Sequence, residues 1–217
     1  MSSQSSPIHF TIYDEIFPKV ASKSEKRKIQ IIEKTIQQLA TTGVESMSYE
    51  SVAEACGATR ALIRHYFPDW DELILLVMRF VRAKFQKLCI DAIQTQTQSR
   101  DQLKIYIETA CSWSRHSPQD ARVWLLFYYQ CGINKKYRQL NSELVSQGHI
   151  RITALLKEIG PKKSRIAEQT YAARAKLIQN AITSYFVATL TEEHTVAFNQ
   201  KMLATTLELC FKIVDAA

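Results

Sequence analysis

Glycine and proline are scarce, at five each in 217 residues. Sandwiches, barrels and Rossmann-like sheets need frequent turns or glycine-rich loops, so this shortage argues against all three. Gly43, Gly57, Gly132, Gly148 and Gly160 cannot form a phosphate loop or a nucleophile elbow, and there is no His-Glu metal motif. Nothing in the sequence therefore signals an enzyme, and no cofactor is assigned. Long apolar runs are also missing. The most apolar stretch, Leu73 to Val81, is interrupted by Arg79 and falls far below the roughly 18 residues of a membrane span. Cysteines are few and unpaired in pattern: Cys56, Cys89, Cys111, Cys131 and Cys210 are odd in number, widely spaced and contain no Cys-x-x-Cys. A disulfide framework or zinc site is not expected, and each thiol is read as a small apolar side chain in a reduced compartment. No two histidines share a helix turn, so no metal is assigned. Met1 to Ser6 is polar and no apolar stretch of a signal peptide follows. A cytoplasmic protein with no membrane partner is expected.

What is present points to helices. With 46% apolar and 23% charged residues, the chain can bury a core without metal or disulfide staples. Residues 1–22 carry Pro7 and Pro18 and no helical period; they read as an arm whose Phe10, Ile12, Tyr13, Ile16 and Phe17 could dock on the body. From Ser24, apolar residues recur at spacings of three and four (Ile29, Ile32, Ile36, Leu39) until Gly43. Two very short segments follow. Ser48 can cap a helix over Tyr49 to Ala55, ended by Gly57, and Thr59 can cap another over Arg60 to Tyr66, ended by Pro68. Long helices are then expected from Asp69 or Asp71 to Ile93, Arg100 to Arg115, Pro118 to Cys131 with a stop at Gly132, Lys135 to Glu158, Ser164 to Leu190 and Thr195 to Asp215. The fold class is all-α, divided into an arm (1–22), a three-helix head (23–70) and a larger helical body (71–217).

An amphipathic helix followed by two short helices and a tight glycine turn is the layout of a helix-turn-helix. A helix about 10–12 Å across fits a major groove about 12 Å wide. Val52, Ala53 and Cys56 would be buried to hold the second short helix outward. Leu62, Ile63 and Phe67 would face inward, leaving Thr59, Arg60, Arg64 and Tyr66 for the groove and its flanking phosphates. A solvated helix face is the plain alternative for the two arginines, as a core position with a wet hydroxyl is for Tyr66.

From Arg27 to Leu73 the sequence resembles the TetR family of bacterial transcriptional regulators. The resemblance rests on the apolar helix to Leu39, on Gly43, Ser48 and Val52-Ala53, on Ala55-Cys56-Gly57-Ala58-Thr59, and on Ile63-Arg64-His65-Tyr66-Phe67 leading to Asp71-Glu72-Leu73. The Ile-x-His-Tyr-Phe ending and the stretch Ala121 to Phe127 are similar to the betaine-responsive repressor branch, although no ligand is carried over from it. The resemblance implies that Thr59 and Arg60 lie near base edges, Arg60 bonding guanine and Thr59 capping the helix and meeting a phosphate. It places Tyr49 and Glu50 where relatives touch the backbone, and Tyr66 where phosphate is commonly met. Arg64 stands where many members have Tyr, and Trp70 where many have Lys; Trp70 supplies no cation and can donate only its indole N–H. Lys28, in the cluster Lys23, Lys26, Arg27, Lys28, could follow a phosphate strand or simply be solvated.

In the body, the resemblance implies an effector site among the middle helices, for which Trp113, Trp124, Tyr128 and His116 are the candidates. Most such aromatics are ordinary core. The last two helices carry broad apolar faces, with small residues such as Ala181 permitting close approach. Ala181, Tyr185, Leu207 and Phe211 are the candidate contacts of a homodimer. Two heads about 34–36 Å apart would meet successive major-groove turns of a pseudo-palindromic double-stranded operator. The function expected is a ligand-responsive DNA-binding regulator, a repressor released by a small-molecule effector. The alternatives are a helix-turn-helix adaptor that binds protein, or an all-α enzyme.

The net charge of +7 does not support DNA binding by itself. Residues 1–70 hold 8 basic and 8 acidic residues, so the whole excess lies in residues 71–217. What favours DNA is the position of the bases at Lys23 to Lys28 and on the recognition helix.

Overall fold

The structure, a computed structural model, describes residues 8, 12–17, 21–160, 168–193 and 195–216. Among them are ten α-helices and no strand: α1 (Tyr13–Ile16), α2 (Lys23–Thr42), α3 (Tyr49–Ala55), α4 (Arg60–Tyr66), α5 (Trp70–Gln94), α6 (Ser99–His116), α7 (Pro118–Ile133), α8 (Lys135–Ile159), α9 (Glu168–Thr191) and α10 (Val196–Asp215). None is long and apolar enough to cross a membrane. The chain forms two compact units. The helix-turn-helix unit comprises Ile12–Lys84 and Ser117–Asn141; the terminal-helix unit comprises Met1–Thr11, Phe85–His116 and Ser142–Ala217.

In the helix-turn-helix unit, α2 starts at a capping box. Ser22 Oγ accepts from the Glu25 N–H at 3.2 Å, and Glu25 Oε2 accepts from the Ser22 N–H at 2.7 Å. The helix ends at Gly43, whose φ of 75° lies in the left-handed region. Its buried stripe is Ile31, Ile32, Thr35, Ile36 and Leu39, wider than the periodicity foretold. Ile29 is only half-buried, because α2 packs against both α3 and α7 and the stripe turns toward them. The arm contributes one helical turn, α1, where no period was visible. Its Tyr13 stacks on Phe17 at 4.2 Å, and Phe17 lies 4.2 Å from Phe80 of α5. Phe10 of the expected docking set lies outside the described residues.

Helix α7 continues through Gly132 instead of stopping there. Gly132 has no positive φ, and Arg138 caps the helix end by donating Nε to Cys131 O (3.0 Å) and Nη2 to Gly132 O (3.1 Å). Two contacts tie α7 to α5. The Lys84 ammonium donates to buried Asp120 at 2.7 Å, and the Arg82 guanidinium lies 5.5 Å above the Trp124 ring.

In the terminal-helix unit, α9 packs against α6 and α10, and α6 against α10. Arg100 at the start of α6 forms a bidentate pair with Asp215 at the end of α10, both bonds 2.8 Å. Ser114 and Thr189 share a hydrogen bond of 3.1 Å. Buried Arg151 of α8 donates Nε to the carbonyl of buried Ile8 at 2.9 Å, which fixes that residue of the arm on this unit. Cys89, Cys111 and Cys210 are buried free thiols. Burial pushes the Cys210 thiol up to about 11, and pushes Cys111 higher still.

Candidate nucleic-acid interface

The candidate site is built from α3, its turn and α4, both helices only seven residues long. Helices this short gain little from propagation, so their ends must be fixed by side chains. Ser48 and Ser51 do this reciprocally for α3: Ser48 Oγ accepts from the Ser51 N–H (3.1 Å), and Ser51 Oγ from the Ser48 N–H (2.9 Å). The turn is a Schellman motif around Gly57, φ 56°. Gly57 N–H donates to Glu54 O at 3.1 Å and Ala58 N–H to Ala53 O at 2.9 Å. Thr59 then caps α4 by accepting from the Leu62 N–H at 3.2 Å. Val52 and Ala53 of α3 and Ile63 and Phe67 of the α4 segment are buried, while Cys56 and Leu62 are half-buried. Gln38 of α2 donates Nε2 to Ser51 O at 2.7 Å, fixing α3 on its support.

Of the sequence candidates, Thr59, Arg60, Arg64 and Lys28 are exposed, and Tyr49 and Tyr66 are half-buried. Lys28 lies on α2, apart from the α3–α4 turn. Tyr66 meets the His65 ring edge-on at 5.4 Å. Tyr49 is committed inside the protein. Its hydroxyl donates to Phe67 O at 2.8 Å and reaches Pro68 O at 3.1 Å, tying the start of α3 to the end of α4. Burial raises the phenol's pKa, against the nearby Arg64 charge, which lowers it. The Arg64 guanidinium lies 5.4 Å above the Tyr49 ring, and Trp70 meets the same ring edge-on at 5.0 Å. Tyr49 is thus a platform for Arg64, and Trp70 braces it. Sequence reasoning missed Glu50 as a partner. Its Oε1 lies 2.7 Å from Arg60 Nη1, bridging α3 to the first residue of α4. The available signal was positional: both residues sit in first turns on either side of a short turn.

The body candidates are divided between the units. In the helix-turn-helix unit, Trp124 is buried, 4.7 Å from Phe127 and 5.9 Å from half-buried Tyr128. In the terminal-helix unit, buried Trp113 lies 4.7 Å from Phe85 and stacks on Phe186 at 5.4 Å. His116 is exposed, its Nδ1 donating to Ser112 O at 2.9 Å. Of the dimer candidates, Ala181, Leu207 and Phe211 are half-buried, and Phe211 lies 4.6 Å below the Arg100 guanidinium. Tyr185 is buried within the protomer, with its hydroxyl 3.5 Å from Asn199 O. The large apolar residues exposed on α9 and α10 are Leu177, Val196, Phe198 and Leu209.

Residues 31–77, which contain α3, its turn and α4, match the family profile of bacterial regulatory proteins of the tetR family. Over that segment the chain is similar to the TetR family. One relative, the HTH-type transcriptional regulator BetI of Rhizobium meliloti, is 21% identical over 123 residues, 57% of this chain and 60% of the relative. The chain thus matches about three-fifths of that relative's length. Among solved structures, a putative transcriptional regulator from Pseudomonas aeruginosa PAO1 superposes with TM-score 0.73 at 18% identity, covering 89% of this chain and 91% of the other. A putative transcriptional regulator from Saccharomonospora viridis in complex with choline gives 0.71 at 16% identity, covering 88% and 96%. The fold shared with these two structures therefore extends over nearly the whole chain, beyond the segment that the family profile matches.

Proposed function

We propose that this chain is a ligand-responsive transcriptional repressor of the TetR family that holds a pseudo-palindromic double-stranded operator as a homodimer. One observation carries the reading: α4 is fixed at both ends and on its apolar side, while Arg60 and Arg64 stay exposed on a single short helix. Arg60 is the base-reading group, and Arg64, set on the Tyr49 ring, is a phosphate contact. Thr59, Tyr66 and Lys28 add backbone contacts. Tyr49 acts through Arg64, because its only proton is already donated to the Phe67 carbonyl.

The exposed apolar residues of α9 and α10, with Ala181, Leu207 and Phe211 beside them, form the homodimer face. An isologous dimer carries two recognition helices, one for each half of a pseudo-palindrome. A small molecule binding among the aromatics of the body, near Trp113 with His116 as a polar anchor or near Trp124 and Tyr128, would favour a conformation that misfits the operator. Choline, the molecule bound to the Saccharomonospora viridis regulator, is the first effector to assay. Helix α5 is the natural carrier of the signal, being one unbroken helix that contributes residues to both units. The site of action is the cytoplasm, where the operator lies. The adaptor and enzyme alternatives draw no support from relatives named as transcriptional regulators.

The test is a gel-shift titration of the Arg60→Ala/Arg64→Ala double variant on intergenic DNA flanking its own coding region. Specific affinity should fall by about 100-fold, from two lost contacts of roughly 1–3 kcal/mol each. Sedimentation should still show a folded dimer. Unchanged affinity would overturn the assignment of α4, and a monomer at micromolar concentration would overturn the α9–α10 interface.

A further inference from the structure

Glu50 stands where an acid is costly. It lies on the face offered to DNA, is more than half exposed, and phosphates repel its carboxylate. Yet its Oε1 sits 2.7 Å from Arg60 Nη1, so the acid is in contact with the arginine expected to enter the groove. Building on the DNA-binding reading above, we propose that Glu50 and Arg60 act as one composite reader of guanine and cytosine. Arg60 takes the guanine, and Glu50 takes the amino group of a cytosine in the same or the next base pair.

The donor and acceptor inventory fits this division. A guanidinium carries five N–H donors in a planar fork, so engagement of Nη1 leaves Nε and Nη2 to donate to guanine O6 and N7. A carboxylate has two acceptor oxygens; with Oε1 on Arg60, Oε2 remains for the cytosine N4 amino group. In the major groove a G·C pair presents two acceptors beside one donor. The protein pair presents donors beside an acceptor, its mirror. An A·T pair fails at both places, because the adenine amino group would face Arg60 and thymine O4 would face the Glu50 oxygen. The ion pair also restrains the arginine side chain before DNA arrives, which lowers the ordering cost of binding. Arg64 provides the contrast within the same helix. It rests on an aromatic ring and is suited to a phosphate of any sequence.

Selection of binding sites from a random DNA pool by the full-length wild type, Glu50→Ala and Glu50→Gln tests this directly. The wild type should enrich a motif with a G·C pair at a fixed place in each half-site. Glu50→Ala should lose about tenfold of the preference for cytosine there while binding random DNA more tightly, since a repelling charge is gone. Glu50→Gln, close in shape, should also lose the preference for cytosine, because with its oxygen on Arg60 the amide offers an NH2 donor to the cytosine amino group. Circular dichroism on both variants establishes that α3 is intact. If Glu50→Ala keeps the wild-type motif unchanged, the carboxylate is a bystander and the composite reader is wrong while DNA binding stands. If the folded wild type enriches no motif at all, the DNA-binding reading itself fails.

Discussion

The two units are held by different kinds of contact. In the helix-turn-helix unit, short helices are defined by neighbours in sequence. Ser48 and Thr59 cap them, Gly57 turns the chain between them, and Tyr49 reaches 18 residues to Phe67. In the terminal-helix unit the ties join distant segments. Arg100 pairs with Asp215 across 115 residues, Ser114 meets Thr189, and Trp113 packs tilted against Phe85 and stacks on Phe186. Seven-residue helices cannot stand by propagation and need caps, whereas helices of 18 to 25 residues need partners for a long buried face. The difference suits the two proposed tasks. A reading surface must present a few side chains in fixed positions, and local polar bonds fix positions well. A helical body that answers a ligand needs packing that can change between two arrangements.

The contrast is open to measurement, and the largest effect should lie in the terminal-helix unit. Trp113→Ala removes a buried ring from its contacts with Phe85 and Phe186 and should cost about 3–5 kcal/mol in urea denaturation. A cost below about 1 kcal/mol would instead put Trp113 on the wall of a space that other groups already fill or solvate. Local devices should cost less each. Gly57→Ala meets no atom within 4 Å, so its cost is the left-handed backbone alone, about 1 kcal/mol, and operator affinity should fall with it because α4 is re-aimed. Tyr49→Phe keeps the ring under Arg64 and loses the bond to Phe67 O, for about 1 kcal/mol of stability. A larger effect of Tyr49→Phe on binding than on stability would show that the hydroxyl positions α4 more than it holds the unit together.

Smaller again are the titrations of the terminal-helix unit. Burial, with help from the Lys176 charge, lowers the His149 pKa below its ordinary 6.5. Unfolding releases the ring to take up a proton, so this contribution is whole above 6.5 and is lost as the pH falls from there through the folded value. Thermal unfolding of wild type against His149→Gln across this range should show the slope in wild type only. The smallest effect belongs to Asp215, which the hydrogen bonds from Arg100 hold below its ordinary 3.8. Its contribution is present above that value and fades as the pH falls through the lower folded one. The pair is exposed and screened by salt. Asp215→Asn should therefore change the acid limb of a melting curve slightly, and added salt should erase the change.

The short helices were legible because their boundaries are written locally. Ser48, Gly57 and Thr59 act on backbone groups within a few residues, so the sequence read correctly gives α3 and α4 at their observed limits. Where a distant residue intervenes, that reading fails. Gly132 looks like a stop until Arg138 is seen capping the carbonyls of Cys131 and Gly132. Helix α1 is invisible to periodicity because one turn has no period; it persists through a ring contact with Phe80. The exposed arginines of the site were legible by type and place. Their supports were not, since neither the ring of Tyr49 beneath Arg64 nor the carboxylate of Glu50 beside Arg60 follows from spacing.

Sequence alone therefore determined the class of fold, the limits of the two short helices and the residues offered on their outer face, because caps, turns and amphipathic periods act over a few residues. Only the tertiary structure decided that Ser117–Asn141 packs in the same unit as the helix-turn-helix, that Tyr49 is a platform and that Glu50 is the partner of Arg60. Those outcomes depend on which surfaces meet, and no local preference encodes a meeting between residues held on different helices.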